Sequence, residues 1–462
     1  MSKITRRTVP GLVALTIGSC LARPDTAAGG RTAEDRITRD RPAGDRVALD
    51  WPRWLGPDYD GVSKETGWLK QWPEDGPPRL WSRDIGLGYS GIIVVKGRVV
   101  LFHRIDDENH LDCLDAKTGE RRWRYSYETD YTDRYGYSAG PRCCPEVHAG
   151  VVYTLDPDGD LHAVDFETGK RRWNVDLRKR HGIPQNFFGT GATPLIDKGV
   201  IYFHLGGVEF VPGRRIRDGF AFALDAGTGK PIWKTRTDGG SYSAPTIARI
   251  DGARHLFVFH RGGMSDLDPR TGKQRWKYDW HSRVHESVNA MTPLVVDDIL
   301  FFSATYRTGS VCLRIKKDSY QELWKDDLTK RGRILDIHWS PVSYLDGHIY
   351  AFSGRNEPDA VFKCVELATG KVKWEWSSYL LRGSMIYSDG HFIALGEWGD
   401  LALLKLDPTG HTELARLRRV LRRPAWTVPT LSGGLLYLRD EHTILCMDLR
   451  GKKAPADVEK RR

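Results

Sequence analysis

A ten-residue pattern recurs along this chain and limits, more than any other feature, what the chain can fold into. Its clearest copy, residues 114–123, reads L-D-A-K-T-G-E-R-R-W. Four other clear copies keep the acidic residue, the Thr-Gly pair and the final tryptophan, at residues 164–173, 224–233, 267–276 and 365–374. Aspartate can accept hydrogen bonds from turn amides, and glycine adopts the positive φ that a tight hairpin needs. The pattern therefore predicts repeated hairpins, each followed by a strand that carries a large aromatic residue.

The spacing of the pattern predicts stacked units, because one hairpin cannot bury its apolar face alone. Tryptophans mark the outer strands of most units: Trp81, Trp123, Trp173, Trp233, Trp276, Trp324 and Trp374. Two later units lack this residue and end near Ala415 and Leu449. The Trp81 strand has no Thr-Gly turn before it, and the last unit has no strand after its turn. We therefore predict an all-β, eight-bladed β-propeller that the N-terminal strand closes.

The segments between the repeats contain short alternating strands and no pattern with a helical period. Residues 206–217 form the longest insertion, and we expect a loop there. Four cysteines, Cys113, Cys312, Cys364 and Cys446, stand two residues before the acidic position, where Ala163 and Ala223 stand in other units. A position that alternates between cysteine and alanine indicates a small, buried, apolar site.

The N-terminal residues resemble an export signal. Arg6 and Arg7 precede an apolar segment, residues 9–22, which is too short to span a membrane and has the flanks of a signal peptide. Residues 17–20 resemble a lipobox, which would make Cys20 a lipidated residue. The predicted organisation is a signal peptide at 1–22, a flexible charged tether at 23–50, the propeller at 51–451 and a charged tail at 452–462. We expect an exported protein that is periplasmic or associated with the envelope.

The formal charge of +10 is spread along the chain. This distribution favours a solvated surface over a nucleic-acid interface. The main local exceptions are the arginine-rich residues 416–423 and the mixed-charge residues 31–46. Beyond the first two dozen residues, no apolar run is long enough to span a membrane.

The repeat resembles the pyrroloquinoline-quinone-like repeat family of eight-bladed propellers over nearly all of residues 51–449. The shared motif is A-x-T-G-x-x-x-W. This resemblance implies the fold but leaves two kinds of function open, because the family includes quinoprotein alcohol dehydrogenases and also the non-enzymatic BamB lipoprotein, which scaffolds outer-membrane assembly.

A dehydrogenase of this family would bind the quinone with a calcium ion and a vicinal disulfide. The adjacent Cys143 and Cys144 look like that disulfide, whereas the alternative is that Cys144 occupies a small-residue position of the repeat. Glu286, Asn289 and Asp336 offer the oxygen atoms that calcium prefers. The family's ligands cannot be matched residue by residue, and no C-x-x-C-H haem motif is present. We therefore assign no catalytic and no metal-binding residue.

Residues just before the first strand of each unit should line the central funnel. They are Tyr89, Arg142, Phe188, Tyr242, Asn289, His338, Trp339, Arg382 and Trp426. Aromatic rings with two guanidinium groups could hold a planar, anionic molecule, so a tentative site comprises Arg142, Cys143, Cys144, Trp339, Arg382 and Trp426. The alternative is that each side chain only fills its own gap at the hub.

The sequence favours a non-catalytic scaffold that binds other envelope proteins. The alternatives are a calcium-dependent quinone dehydrogenase and a propeller that binds a small ligand in its funnel.

Overall fold

In this computed structural model, the structure describes residues 49–211, 214–284 and 287–451, and the side chains of these residues except 209–217. The predicted signal peptide, Cys20, nearly all of the predicted tether and the charged tail lie outside the described residues. Among the described residues, no helix has the length and apolar character needed to cross a membrane.

Eight sheets follow one another along the chain, as predicted. The first two contain β3 (Ile93–Val95), β4 (Arg98–Ile105), β5 (Glu108–Asp115), β6 (Arg121–Glu128), β7 (Glu146–His148), β8 (Val151–Leu155), β9 (Asp160–Asp165) and β10 (Arg171–Asp176). The third and fourth contain β11 (Leu195–Asp197), β12 (Val200–Val211), β13 (Arg214–Asp225), β14 (Pro231–Thr237), β15 (Thr246–Ile250), β16 (Ala253–His260), β17 (Gly263–Leu267) and β18 (Gln274–Asp279).

The remaining sheets have the same four-stranded antiparallel core. The fifth and sixth contain β19 (Leu294–Val296), β20 (Ile299–Ala304), β21 (Gly309–Ile315), β22 (Tyr320–Lys325), β23 (Ser343–Leu345), β24 (His348–Ser353), β25 (Val361–Glu366) and β26 (Val372–Trp376). The seventh contains β27 (Ser384–Ser388), β28 (His391–Leu395), β29 (Leu401–Asp407), β30 (Gly410–Leu417) and the parallel edge strand β1 (Val62–Ser63). The eighth contains β31 (Thr430–Ser432), β32 (Leu435–Arg439), β33 (Thr443–Asp448) and β2 (Arg79–Asp84).

The sheets form a closed ring. First strands of neighbouring sheets contact each other, including β3 with β31 across the junction of the first and eighth sheets. β2 pairs antiparallel with β33, so that Arg79 lies opposite Met447 and Trp81 opposite Cys446. This pairing confirms that the N-terminal strand closes the propeller.

The antiparallel strands give the ring two different faces, because successive links lie at alternate ends of a sheet. Links between the first and second strands, and between the third and fourth, lie on one side, which we call the turn face. Links between the second and third strands, and from each fourth strand to the next sheet, lie on the other side, which we call the loop face.

The repeated Thr-Gly sequence forms the hairpins of the turn face. In the first sheet, Asp115 accepts hydrogen bonds through Oδ1 from the amides of Lys117 and Thr118, at 2.9 and 3.0 Å. Gly119 has a φ of 72°, which favours glycine. The hairpin chemistry expected from the sequence is therefore present.

The tryptophan of each repeat connects one sheet to the next. The ring of Trp123 lies against Gly169 in the following sheet, where an added Cβ would meet the ring at 2.8 Å. Its Nε1 donates to the carbonyl of Phe166 at 3.0 Å. Tryptophans 81, 173, 233, 324 and 374 also donate to a carbonyl of the following sheet. The aromatic residue thus joins neighbouring sheets through both packing and a hydrogen bond.

Trp276 departs from this rule. Its Nε1 is buried and has no acceptor among the described residues. In the fifth sheet, the hairpin between β21 and β22 lacks the Thr-Gly pair and closes instead with a bond from the Lys316 amide to the Ser319 carbonyl. Tyr320 packs edge-on against the indole, with the ring centroids 4.8 Å apart. This junction keeps the packing and loses the hydrogen bond.

The four cysteines of the repeat are completely buried, as expected for a small apolar position. The fourth sheet differs, because Asp266 occupies this position opposite Trp276. Its carboxylate lies 2.8 Å from Nδ1 of the equally buried His255. The sequence pattern of cysteine and alanine gave no indication of this buried polar pair.

The expectation of a loop at residues 206–217 is wrong. β12 and β13 continue as a long hairpin through this segment, with Val211 paired to Arg214. Gly206 and Gly207 are required by close contacts, since a Cβ would lie 2.3 Å from the Gly240 amide and 2.0 Å from the Pro184 carbonyl, respectively. Here glycine permits tight packing within a strand and does not mark a turn.

The described part of the chain also contains two short helices, α1 (Leu177–His181) and the 3₁₀ helix Glu357–Asp359. α1 is capped by Asp176, whose side chain accepts a bond from the Lys179 amide at 2.8 Å. A single helical turn is too short to produce a periodic pattern, and for this reason the sequence did not indicate it.

Residues 49–69, which we call the strap, run across the turn face. Trp51 pairs with Val94 of the first sheet, and Trp54 Nε1 donates to Thr292 Oγ1 before the fifth sheet at 3.1 Å. The strap then adds β1 to the seventh sheet and reaches the eighth, where Glu65 accepts bonds from the amides of Gly433 and Gly434.

A buried polar cluster fixes the strap to the second sheet. Tyr59 donates to the carboxyl group of Glu146, and Arg53 Nη2 lies 3.3 Å from Glu146 Oε1. The amide of Ile196, in the third sheet, also donates to Glu146 at 3.3 Å. Burial raises the pKa of Glu146 to about 8. The strap therefore covers the hub on the turn face.

Candidate functional site

The loop face collects most of the funnel residues that the sequence indicated. Arg142, Trp339, Arg382 and Trp426 each lie in a link just before the first strand of a sheet. Because the first strands surround the hub, these side chains meet around its opening.

A buried carboxylate organises one half of this opening. Glu397, only 1% exposed, accepts bonds from Nε and Nη2 of Arg382. Trp426 Nε1 also donates to Glu397, at 3.0 Å. The Arg382 guanidinium lies 5.4 Å from the centroid of Trp426, whose ring is 5.8 Å from that of Trp339. The charge of Arg382 is thus already matched by a carboxylate within the protein.

Arg142 is held in a similar way on the other half of the opening. Its Nη2 donates to Asp133 Oδ2 and to the Ser138 carbonyl, both at 2.8 Å, and its Nη1 donates to the Gly140 carbonyl at 3.1 Å. The Asp133 side chain is only 1% exposed. Arg142 therefore fixes the link between the first and second sheets.

Tyr89 joins these two halves. Its ring is 4.8 Å from that of Trp426, and the Arg142 guanidinium is 6.0 Å from the Tyr89 centroid. Burial, aided by Glu441, raises the pKa of Tyr89 well above its usual range, so the phenol remains protonated. Two internally neutralised arginines thus flank a Tyr–Trp pair.

Further rings extend this pair into a continuous surface. We call it the aromatic patch: Tyr89, Tyr135, Tyr137, Phe188, Tyr242, Trp339 and Trp426. Within it, Tyr137 lies 6.4 Å from Trp426 and 5.4 Å from Phe188, measured between ring centroids. Tyr135 and Tyr137 are 46% and 53% exposed, so one end of the patch faces solvent.

The structure does not bring Cys143 and Cys144 into the opening. Both are free, buried cysteines. Cys143 packs between the second and third sheets with residues such as Leu155 and Phe203. Cys144 packs on the other side, with residues such as Ile93 and Val152. Burial raises the pKa of both thiols, which remain protonated, so the predicted quinone contact has no support in this geometry.

Of the three oxygen ligands considered for calcium, the structure describes Asn289 and Asp336. Glu286 lies outside the described residues. Asn289 uses Nδ2 to donate to the carbonyls of His260 and Trp280, at 2.8 and 3.4 Å. Within the described part of the chain, no group of three or more His, Cys, Asp or Glu side chains could hold a metal ion. Since both funnel arginines are also paired internally, we derive no chemical step through a quinone.

Three polar atoms in the link between β22 and β23 have no hydrogen-bond partner among the described residues. They are Asp336 Oδ1, His338 Nδ1 and Trp339 Nε1, and all three are buried. Burial raises the pKa of Asp336 to about 6. Burial, together with Arg382 and Arg355, lowers the pKa of His338 to about 3, so this ring is neutral. Nδ1 and Nε1 could therefore contact a small polar ligand.

Sequence reasoning missed the two carboxylates on which this site depends. Asp133 lies several residues before the Pro of its unit, and Glu397 lies in the link between β28 and β29. Neither carboxylate lies directly before the first strand of a unit, where the sequence predicted the funnel residues. The sequence 130–137, D-Y-T-D-R-Y-G-Y, was an available signal, because an aspartate within an aromatic, glycine-containing link is typical of an ordered turn.

Comparison with known sequences gives one family. A family model described as "Outer membrane protein assembly factor BamB" matches residues 73–221 and 210–449. One curated relative, tetrathionate hydrolase of Acidithiobacillus ferrooxidans, is 23% identical over 202 residues. That alignment covers 40% of this chain and 36% of the relative, so the chain spans little more than a third of the relative's length.

Solved structures of two functional kinds share the fold. BamB from Moraxella catarrhalis is 16% identical, with a TM-score of 0.56 over 80% of this chain and 99% of that one. Quinohemoprotein alcohol dehydrogenase from Comamonas testosteroni is 15% identical, with a TM-score of 0.61 over 88% of this chain and 82% of that one. At such identities, the likeness concerns the fold alone.

Proposed function

Because the chain belongs to the family described as outer membrane protein assembly factor BamB, we propose that it is a non-catalytic scaffold that binds another envelope protein through its loop face. The aromatic patch is the contact surface in this proposal. Tyrosine and tryptophan are the residue types that most often dominate protein–protein contacts.

The observation that carries the proposal is the ordered turn that presents Tyr135 and Tyr137. Asp133 Oδ1 accepts bonds from the amides of Tyr135 and Tyr137, at 2.9 and 3.1 Å. Its Oδ2 accepts bonds from Arg142 and from the Tyr131 hydroxyl. A buried carboxylate therefore fixes the backbone that carries two exposed aromatic side chains before any partner arrives. Such preorganisation lowers the entropy that is lost on binding.

The turn face offers a less suitable surface for a partner. The strap and the repeated hairpins already cover it, and the Thr-Gly turns end in polar and charged residues. The chemistry of the opening supports binding over catalysis as well, because the guanidinium groups of Arg142 and Arg382 are neutralised by Asp133 and Glu397.

Site-specific photo-crosslinking in the native envelope tests this proposal. A photoreactive residue at Tyr137 should give a discrete adduct with an envelope protein, identified by mass spectrometry. The matched control is the same residue at Lys117, exposed in a Thr-Gly turn of the opposite face. Tyr135→Ala should reduce the Tyr137 adduct. The absence of an adduct at Tyr137, or equal adducts at both positions, would contradict the proposal.

A second candidate function is the binding of a small planar ligand in the funnel. It is supported by the unpartnered Nδ1 of His338 and Nε1 of Trp339 beside the aromatic patch. Titration of the intact protein with pyrroloquinoline quinone, with and without calcium, tests it through quinone absorbance and protein melting together. Saturable binding that Trp339→Phe weakens would favour this candidate, whereas a flat titration would exclude this quinone as the ligand.

A further inference from the structure

The arginine-rich residues 416–423 (R-L-R-R-V-L-R-R) cross the loop face between the seventh and eighth sheets. Leu417 and Leu421 are buried, and the Val420 amide donates to the Gly399 carbonyl at 2.9 Å. These anchors fix the backbone of the segment. Arginines 418, 419, 422 and 423 consequently project into solvent.

Three of these arginines line a groove with a volume of about 680 Å³. Arg419, Arg422 and Arg423 form one wall, together with Trp398 from the link between β28 and β29. Arg79, on the outer strand of the eighth sheet, lies on the other wall. Arg418 belongs to the same exposed run but does not line the groove.

The groove has an excess of positive charge. Its acidic lining residues are Asp84 and Asp440, against four arginines. The carboxylate of Asp440 is occupied by the amides of Arg422, His442 and Thr443, each at 2.7 Å. Arg423 pairs with Glu357. Within the described part of the chain, the other three lining arginines form no ion pair.

Trp398 positions two of the guanidinium groups. The guanidinium carbon of Arg423 lies 4.7 Å from the ring centroid of Trp398, and that of Arg419 lies 5.9 Å away. A guanidinium over an aromatic ring retains the N–H donors along its edge. Trp398 Nε1 is itself buried without an acceptor among the described residues. The groove thus combines two guanidinium groups that lie beside Trp398 with a net excess of positive charge.

We propose that this groove binds a doubly charged tetrahedral oxyanion, phosphate or sulfate, carried as a monoester. The planar N–H pairs of arginine match the oxygen edges of such groups. Arg79, Arg419 and Arg422 form no ion pair in the described chain, and the four lining arginines outnumber the two lining carboxylates, so a doubly charged anion matches the groove better than a single carboxylate does. The ester belongs either to a soluble molecule or to a lipid headgroup, since both present the same chemistry.

Calorimetric titration of the intact protein with inorganic phosphate and with inorganic sulfate tests the groove. The double variant Arg419→Gln/Arg422→Gln should bind at least tenfold more weakly than the parent protein. Arg418→Gln is the matched control, because it removes one exposed charge from the same run outside the groove, and it should change the affinity less than twofold. The absence of saturable binding, or an equal loss in the control, would overturn the proposal.

Two further measurements keep the test decisive. Should the double variant melt at a lower temperature than the parent, Arg79→Gln on the opposite wall replaces it and should also weaken binding tenfold.

Flotation with phosphatidic acid vesicles, in competition with glucose 6-phosphate, separates the two sources of the ester. Binding to vesicles that the sugar phosphate does not displace indicates a lipid headgroup, and displacement indicates a soluble ester. Failure to bind either would overturn the proposal, while leaving the aromatic patch and its crosslinking test unaffected.

Discussion

The two faces of the propeller are stabilised in different ways. On the turn face, one contact is repeated: a tryptophan of one sheet packs on a glycine of the next and donates to a backbone carbonyl. On the loop face, each network occurs once and depends on a single buried carboxylate, Asp133 or Glu397. Repetition distributes stability over many equivalent contacts. A unique network concentrates it, and this makes the loop face both more specific and more sensitive to substitution.

The strongest test of this difference removes a buried carboxylate from the loop face. Glu397→Ala leaves Arg382 without its partner and Trp426 without its acceptor, and it should lower the free energy of unfolding by about 3 kcal/mol. Glu357→Ala is the matched control, because its pair with Arg423 is largely exposed, and it should cost less than about 1 kcal/mol. Chemical denaturation measures both. Equal losses would show that the loop face does not depend on the buried pair.

Acidification should also affect the loop face, through His338. Its pKa in the folded protein is about 3, and an unfolded histidine has a pKa of about 6.5. The unfolded chain therefore binds the proton first, so the stabilising contribution is complete above pH 6.5 and is lost as the pH falls toward 3. Between pH 7 and pH 5 the loss should be about 2 kcal/mol.

Denaturation curves at several pH values measure this effect. His338→Gln should reduce the difference between pH 7 and pH 5 by about 2 kcal/mol, since the titrating group is gone. The parent protein, measured in the same series of buffers, is the reference for this comparison. A His338→Gln variant with an unaltered pH dependence would refute the assignment.

The smallest expected effect compares two junctions of the turn face itself. Trp173 Nε1 donates to the Ala226 carbonyl, whereas Trp276 Nε1 has no described acceptor. Trp173→Phe should therefore destabilise the protein by about 1 kcal/mol more than Trp276→Phe, because only the first loses a hydrogen bond. Thermal or chemical denaturation measures the difference. Equal losses would mean that the tryptophan acts by packing alone.

The same contrast explains how much could be predicted from sequence. The turn face repeats, so its tryptophans, glycines and aspartates recur at a recognisable spacing, and this pattern predicted eight sheets and their closure by β2. The exceptions to this pattern could not be predicted from the sequence because they break the repeat. Asp266 replaces a cysteine or alanine, and the glycines at 206 and 207 permit close packing within a strand.

The loop face could be predicted only in part. Proximity to the first strands identified Arg142, Trp339, Arg382 and Trp426, which the structure connects through Tyr89 and Glu397. Their partners come from links that are distant in sequence, and no local pattern pairs Arg382 with Glu397 or places Trp398 beside Arg423. Contacts between links that are distant in sequence depend on the closed ring, so they can be identified only from the folded structure. Whether the predicted residues bind a ligand stays a prediction.

The closure of the ring by β2 and β33 also has a consequence for biosynthesis. Arg79 leaves the ribosome 368 residues before its partner Met447. Seven blades can form while the chain grows, but the eighth must wait, with β2 as an unpaired edge throughout. Joining strands so distant in sequence is entropically slow. The final blade therefore forms last, because only a chain translated as far as Met447 can become a ring without an open seam.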